Sequence, residues 1–256
     1  MDFVRDTLSS LGLYRQVRLL RNRYFRPELG RRADRWRRLY SEFVSPGDLV
    51  FDVGANHGDR TELFVQMGAR VVAVEPNQAL ASRLESIFRH SPVKVEAVGV
   101  GSKAGELPFY VCTANACSSF STEFIQSQRK QNNGFQWDRT EKIAIVTMDA
   151  LVEKHGNPGF IKIDVEGFEA EVLAGLSHPV KGLSFEVRPD DSPETTDGCF
   201  DALARLGRYE FNLSIEERLT FELPRWDSAQ AVLRAIRRVE TSGWRYGDVY
   251  ARKSSS

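Results

Sequence analysis

The hydrophobic positions change period along the chain, and each change marks an element. From residue 48 onward, short apolar runs alternate with stretches whose apolar side chains recur every three or four residues. "LVFDVG" (49–54), "RVVAVEPN" (70–77), "VKVEAVGV" (93–100), "GFIKIDVEG" (159–167) and "GLSFEV" (182–187) read as strands rich in Val, Ile and Phe. Between them, "GDRTELFVQMG" (58–68), "QALASRLESIFRHS" (78–91), "DALVEKHG" (149–156) and "FEAEVLAGL" (168–176) carry a helical period. "GELPFYVC" (105–112) and "KIAIVTM" (142–148) read as further extended segments, with a helix near 121–131 between them. Towards the C-terminus, "TDGCFDALARLG" (196–207) and "DSAQAVLRAIRRVE" (227–240) read as helices, and "YEFNLSI" (209–215), "LTFEL" (219–223) and "GDVYARK" (247–253) as strands. This βα alternation predicts a mostly parallel sheet with helices on both faces.

The first forty residues follow another pattern. Apolar positions at Phe3, Val4, Leu8, Leu11, Leu13, Val17, Leu20 and Tyr24 alternate with arginine, which predicts a basic amphipathic helix or helix pair. A second helix is expected over 33–44. We therefore divide the chain into an Arg-rich helical extension (1–44), one catalytic-sized α/β domain (45–253) and a short tail (254–256). Residues 1–40 hold eleven Arg against Asp2, Asp6, Glu28 and Asp34, a charge of +7 in a chain whose formal net charge is +0. Such an end suits an anionic membrane surface, phosphate or nucleic acid, or is a solvated helix face. Cys112, Cys117 and Cys199 form no C-x-x-C pair, and the expectation is free thiols in a cytoplasmic protein, peripheral to a membrane at most.

Candidate chemistry lies where strands empty into loops, since open α/β sheets take ligands beyond the carboxyl ends of their strands. The first such loop reads Asp52-x-Gly54-x-x-x-Gly58, with Asn56 and His57 inside it. A dinucleotide site wants G-x-G-x-x-G for its pyrophosphate, which is missing. An acidic residue before the first glycine suits a cationic, phosphate-free ligand, and S-adenosylmethionine is one. Glu75, at the end of the second strand, is placed to accept ribose hydroxyls. A second cluster follows the central strand: Lys162, Asp164 and Glu166 share one face if that strand persists so far. Asp164 suits a general base or a partner for the ligand's ammonium. Glu166 suits a cap for the next helix or a grip on substrate, and Lys162 a partner for either carboxylate. The alternative is a charge cluster that satisfies itself at the strand end. Glu186 and Arg188, at the end of the next strand, are candidates for substrate contact, or simply an ion pair. Asp149, Asp164 and Glu166 offer oxygen ligands of the kind Mg²⁺ takes, but their spacing does not demand an ion, and no metal is expected.

With those residues named, the chain resembles the FkbM family of S-adenosylmethionine-dependent methyltransferases. The likeness is carried by "FDVGANHGDRT" (51–61), "VVAVEPN" (71–77), "VTMDALVE" (146–153) and "FIKIDVEGFEAEVLAGL" (160–176). It implies a class I methyltransferase fold, a Rossmann-like seven-stranded sheet whose last strand is antiparallel, and O-methylation of a sugar, glycan, glycolipid or natural product. By motif position it implies that Asp52, Gly54, Asn56 and Gly58 surround the methionine part of the cofactor. Glu75 would hold the ribose, with Pro76 and Asn77 beside it. Ser118 and Ser119, in "ACSSF" (116–120), would reach the cofactor, and Asp164 with Glu166 would face the substrate. "TMDA" stands where the family has "TLDD", so Asp149 is kept and the second Asp is lost. The rivals are a nucleic-acid methyltransferase clamping with the basic N-terminus and a non-catalytic module that keeps the fold. The first is disfavoured because "DVEG" replaces an Asn-Pro-Pro-Tyr-like stretch. A nicotinamide oxidoreductase is disfavoured by the missing G-x-G.

Overall fold

The structure is a computed structural model that describes residues 27–113, 117–131, 134–189, 191–240 and 244–254. The expected amphipathic helix at 3–25 lies outside them. Helix α1 (Pro27–Tyr40) begins earlier than the pattern suggested, with Pro27 at its first position, and ends at Tyr40. Then follow β1 (Leu49–Val53), α2 (Asp59–Gln66), β2 (Arg70–Val74), α3 (Gln78–Phe88) and β3 (Val93–Glu96). An inserted segment comes next: β4 (Gly99–Val100), β5 (Gly105–Cys112), α4 (Thr122–Lys130) and β6 (Trp137–Val146). The chain closes with α5 (Met148–His155), β7 (Phe160–Ile163), α6 (Glu169–Ala174), β8 (Gly182–Val187), α7 (Pro193–Leu206), β9 (Tyr209–Ile215), α8 (Ala229–Glu240) and β10 (Gly247–Lys253).

Seven strands form one sheet in the order β3-β2-β1-β7-β8-β10-β9. β3, β2, β1, β7 and β8 run parallel, and β10 runs antiparallel to both β8 and β9. This is the class I methyltransferase topology that the resemblance implied. The strand order reverses direction between β1 and β7, so the crevice at their carboxyl ends is the switch point. Two readings change. "VKVEAVGV" is not one strand: it breaks after Glu96, and β4 joins a separate three-stranded sheet in the order β4-β6-β5. "LTFEL" is not a strand either; Leu219 takes a left-handed conformation (φ 57°) after a 3₁₀ turn at Glu216–Arg218.

The sheet buries both faces. On one side Phe51, Val53, Ile161, Ile163, Leu183 and Phe185 pack into the larger core cluster. On the other, Val50, Phe64, Phe160 and Tyr250 meet Trp36, Tyr40, Phe43 and Val44. Residues 36–44 are thus part of the domain core, and the boundary expected at 44 does not separate two packing units. Tyr40 is fully buried and packs edge-on against Phe64, with ring centroids 4.8 Å apart.

Candidate active site

β1 stops because its chain turns sharply to let β7's exit loop pass. Gly54 has φ +82°, and a Cβ there would lie 1.8 Å from the carbonyl oxygen of Asp164. Gly54→Ala is expected to destabilise the fold by about 3 kcal/mol or more, from steric overlap plus a left-handed backbone. A thermal melt coinciding with wild type would contradict this close approach. Around that turn lies a cavity of about 340 Å³, within the range of small-molecule sites. Gly54, Asn56, Glu75, Pro76, Ser118, Lys162, Asp164 and Glu166 line it.

Glu75 shapes one wall of the cavity. Its Oε2 accepts the Asn56 amide N–H at 2.7 Å and its Oε1 accepts that of Asn77 at 2.9 Å. Each carboxylate oxygen keeps a further lone pair for a ligand hydroxyl. Burial pushes the Glu75 carboxyl up to about 7, although the Asn77 and Asn56 amides pull it down. Asn56 sits in the left-handed region (φ 49°), and its side-chain Oδ1 is buried without a hydrogen-bond partner. An unpartnered acceptor beside a carboxylate suits an ammonium group. The hydroxyls of a ribose and an amino-acid ammonium, which donate, fit this set of acceptors, as S-adenosylmethionine requires.

The acidic cluster forms the other wall. Parallel pairing places Asp52 beside Lys162. Lys162 Nζ donates to Asp164 Oδ2 at 2.9 Å and lies 4.0 Å from Asp52 Oδ1. Burial would raise Asp164, but the Lys162 charge and hydrogen bond win and hold it below the usual carboxylate range. Glu166 is presented differently. β7 ends at Ile163, so strand alternation does not reach Glu166; its left-handed backbone (φ 57°) aims it instead. Three bonds hold that backbone. The Ser119 hydroxyl donates to the Glu166 carbonyl at 2.7 Å, and Glu169 Oε1 accepts the Val165 and Gly167 amides at 2.9 and 3.3 Å. Arg188 donates to the Glu166 carboxylate and pairs with Glu186, with its guanidinium over the Phe124 ring.

Asp164, Glu166 and Glu186 bring carboxylate oxygens within 4.8 Å of one another, close enough to share a divalent ion. Two side-chain cations, Lys162 and Arg188, face these three carboxyls. Three half-buried negative charges against two positive ones leave one in excess, which partial desolvation disfavours. Accordingly, burial raises Glu166 to about 7 despite Arg188, and raises Glu186 as well.

Several expected contacts move one layer back. Asp52 is fully buried and outside the cavity wall, because β1's alternation turns it towards α2, where Thr61 donates to it at 2.6 Å. Gly58 is needed for helix packing: a Cβ there would meet Leu84 at 2.6 Å and Phe88 at 2.9 Å. Asn77 caps α3, accepting the Ala79 and Leu80 amides. Ser119 braces the Glu166 backbone instead of lining the cavity. Ser118 lines it, with its hydroxyl held by the Cys112 amide at 2.9 Å. Glu186 and Arg188 stand behind Glu166. Sequence reasoning missed the apolar wall of Val98, Val100, Phe109, Phe120 and Phe168. Four of the five belong to the insertion or its approach, whose own period gives no sign of facing a ligand.

A doubly wound sheet with a carboxylate-lined cavity at its switch point is the class I methyltransferase arrangement. The sequence profile of the FkbM methyltransferase domain matches residues 52–212, and the chain belongs to that family, whose cofactor is S-adenosylmethionine. The hexuronic acid methyltransferase AglP of Haloferax volcanii is 29% identical over 156 residues, 59% of each chain. The match thus spans about three-fifths of that relative's length. Among solved structures, a precorrin-6y C5,15-methyltransferase from Geobacter metallireducens aligns at 10% identity and TM-score 0.43, covering 84% of this chain and 85% of its own. A TehB-like methyltransferase from Corynebacterium glutamicum aligns at 9% identity and TM-score 0.45, covering 86% and 88%.

Proposed function

We propose that the protein transfers a methyl group from S-adenosylmethionine to a hydroxyl of a sugar, glycan or glycolipid. The observation that carries this reading is the juxtaposition of Glu75, held by loop amides, with Asp164 and Glu166 across one cavity. The AglP likeness supports a sugar acceptor, and within that class a uronic acid.

S-adenosylmethionine supplies a methyl group already activated on a sulfonium. The chain's own residues then bind, orient and take a proton. Glu75 accepts the ribose hydroxyls. Asp164, kept ionised by Lys162, sets negative charge beside a cationic ligand. Glu166 accepts the proton of the attacking hydroxyl, because a carboxyl near 7 is matched to neutral pH. Asp164 is the poorer base, being stabilised as the anion. Arg188 and Ser119 fix the angle of Glu166. Orientation supplies much of the acceleration, since well-aligned partners reach effective molarities of about 10⁵ M or more.

The raised Glu75 carboxyl gives a signed pH dependence. Only the ionised group accepts both hydroxyls, so S-adenosylhomocysteine binds well above pH 7. Affinity falls roughly tenfold per pH unit below the Glu75 pKa of about 7. Calorimetric titrations from about pH 5 to about pH 9 measure this slope, and Glu75→Gln should remove it. A flat wild-type profile would contradict the assignment.

The same reading keeps the protein cytoplasmic and lets the Arg-rich residues 1–40 touch an anionic membrane, where a lipid-linked acceptor would sit. Among the described residues no helix is long and apolar enough to cross a membrane. Co-sedimentation with phosphatidylserine vesicles, lost on deleting residues 1–26, is the expected result. Equal sedimentation of both forms would count against it.

A further inference from the structure

A second cavity, of about 760 Å³, adjoins the first and also has the volume of a small-molecule site. The two meet at Phe120 and Phe168, which line both and whose ring centroids lie 5.5 Å apart. Two backbone segments pass from one to the other. Val100 lines the first and Gly101 the second; Glu166 lines the first and Gly167 the second. The turn at Gly167 is fixed in place: φ is +87°, and a Cβ there would lie 2.8 Å from the Phe124 Cβ. The second cavity thus continues the first on the side where Glu166 stands, and Glu75 takes no part in it.

Its lining is part apolar and part acidic. Leu107, Phe120, Ile145 and Phe168 supply the apolar part. Among the described residues, Leu107 is the one large hydrophobic side chain left exposed. Glu106, Glu123, Glu171 and Glu194 line the same cavity against one ammonium, Lys103. Glu106 pairs with Lys142, and counting that cation still leaves carboxylate in excess. All four carboxyl residues are exposed, whereas Phe120, Ile145 and Phe168 are half-buried or buried, so the acids stand at the rim. An ionised carboxylate only accepts hydrogen bonds, and a sugar hydroxyl donates them. The C–H face of a sugar ring suits the apolar wall. An anionic ring would add like charge to the rim, which is costly.

We propose that this cavity is a second sugar subsite, taking an uncharged ring next to the unit presented to Glu166. The inference rests on the methyltransferase reading and deepens it. The acceptor is then an oligosaccharide or glycoside, and the unit beside the methylated one carries hydroxyls but no carboxylate.

NMR of methyl groups reads the cavity directly, because Leu107 and Ile145 carry methyls in its wall. The protein is isotopically labelled in its Leu and Ile methyls and saturated with S-adenosylhomocysteine. It is then titrated with methyl β-D-glucoside or methyl β-D-glucuronide, which differ only in a hydroxymethyl against a carboxylate. The glucoside should shift the Leu107 and Ile145 signals, with a Kd in the millimolar range. The glucuronide should bind about threefold or more weakly at low salt. Leu107→Ala, at an exposed position, identifies the Leu107 signal and should weaken the glucoside's effect on Ile145. Glu171→Lys combined with Glu194→Lys should bring the glucuronide up to the glucoside or beyond it. Unmoved Leu107 and Ile145 signals at about 100 mM glucoside overturn the subsite. So does an equal response to both sugars in wild type, or an unchanged preference in the double variant, because charge would then select nothing. Failure of wild type to bind S-adenosylhomocysteine is a distinct result. It defeats the methyltransferase reading, while the sugar titrations, repeated without that ligand, still report on the cavity.

Discussion

Glu166→Gln should lower kcat by about 10²- to 10⁴-fold while leaving S-adenosylhomocysteine affinity within about threefold of wild type. Gln is nearly isosteric and still accepts from Arg188, so the loop stays built. What disappears is the group that takes the proton. Wild-type kcat/KM for the acceptor, measured at saturating cofactor, should rise with pH and level off above the Glu166 carboxyl's range near 7. Asp164→Asn is the informative control. It strips Lys162 of its 2.9 Å partner and leaves an ammonium beside Asp52 alone, so it costs stability and cofactor binding as well as turnover. If Asp164 were the base instead, its lowered pKa would put the acid limb well below neutral, and Glu166→Gln would retain most of its rate.

Glu75→Ala should weaken S-adenosylhomocysteine by about 100-fold or more. It removes the acceptor for two ribose hydroxyls, each a charge-assisted bond of about 1.5–3 kcal/mol. It also frees the Asn56 and Asn77 amides that the carboxylate now orders, so the loop loses its shape together with its ligand contact. Glu75→Gln keeps one acceptor oxygen and should fall between. Wild-type affinity in Glu75→Ala would place the ribose elsewhere.

The sheet was legible because its central strands are short, apolar and β-branched, with a glycine turn at each helix junction. The first loop was legible as a cavity wall from "DVGAN-x-G" after a strand, although of its acid and two glycines only Gly54 lines the cavity. Which face each residue takes was less legible. Asp52 precedes the glycine in sequence, but period two turns it towards α2 and away from the cavity. Gly58 looked like a second ligand glycine, and its missing Cβ instead makes room for Leu84 and Phe88. Glu166 was expected through strand alternation and arrives through a left-handed backbone held by Ser119, a partner 47 residues away. Such long-range contacts leave no local period. The same holds for α1, which reads as one more solvated basic face although Trp36 and Tyr40 pack it against the domain.

The most direct test of the central claim is a calorimetric titration of the purified protein with S-adenosylhomocysteine, with NADH as the control. The account predicts binding with a Kd on the order of 1–10 μM for the first and none for the second. Binding of NADH, or silence from both ligands at millimolar concentration, would contradict it.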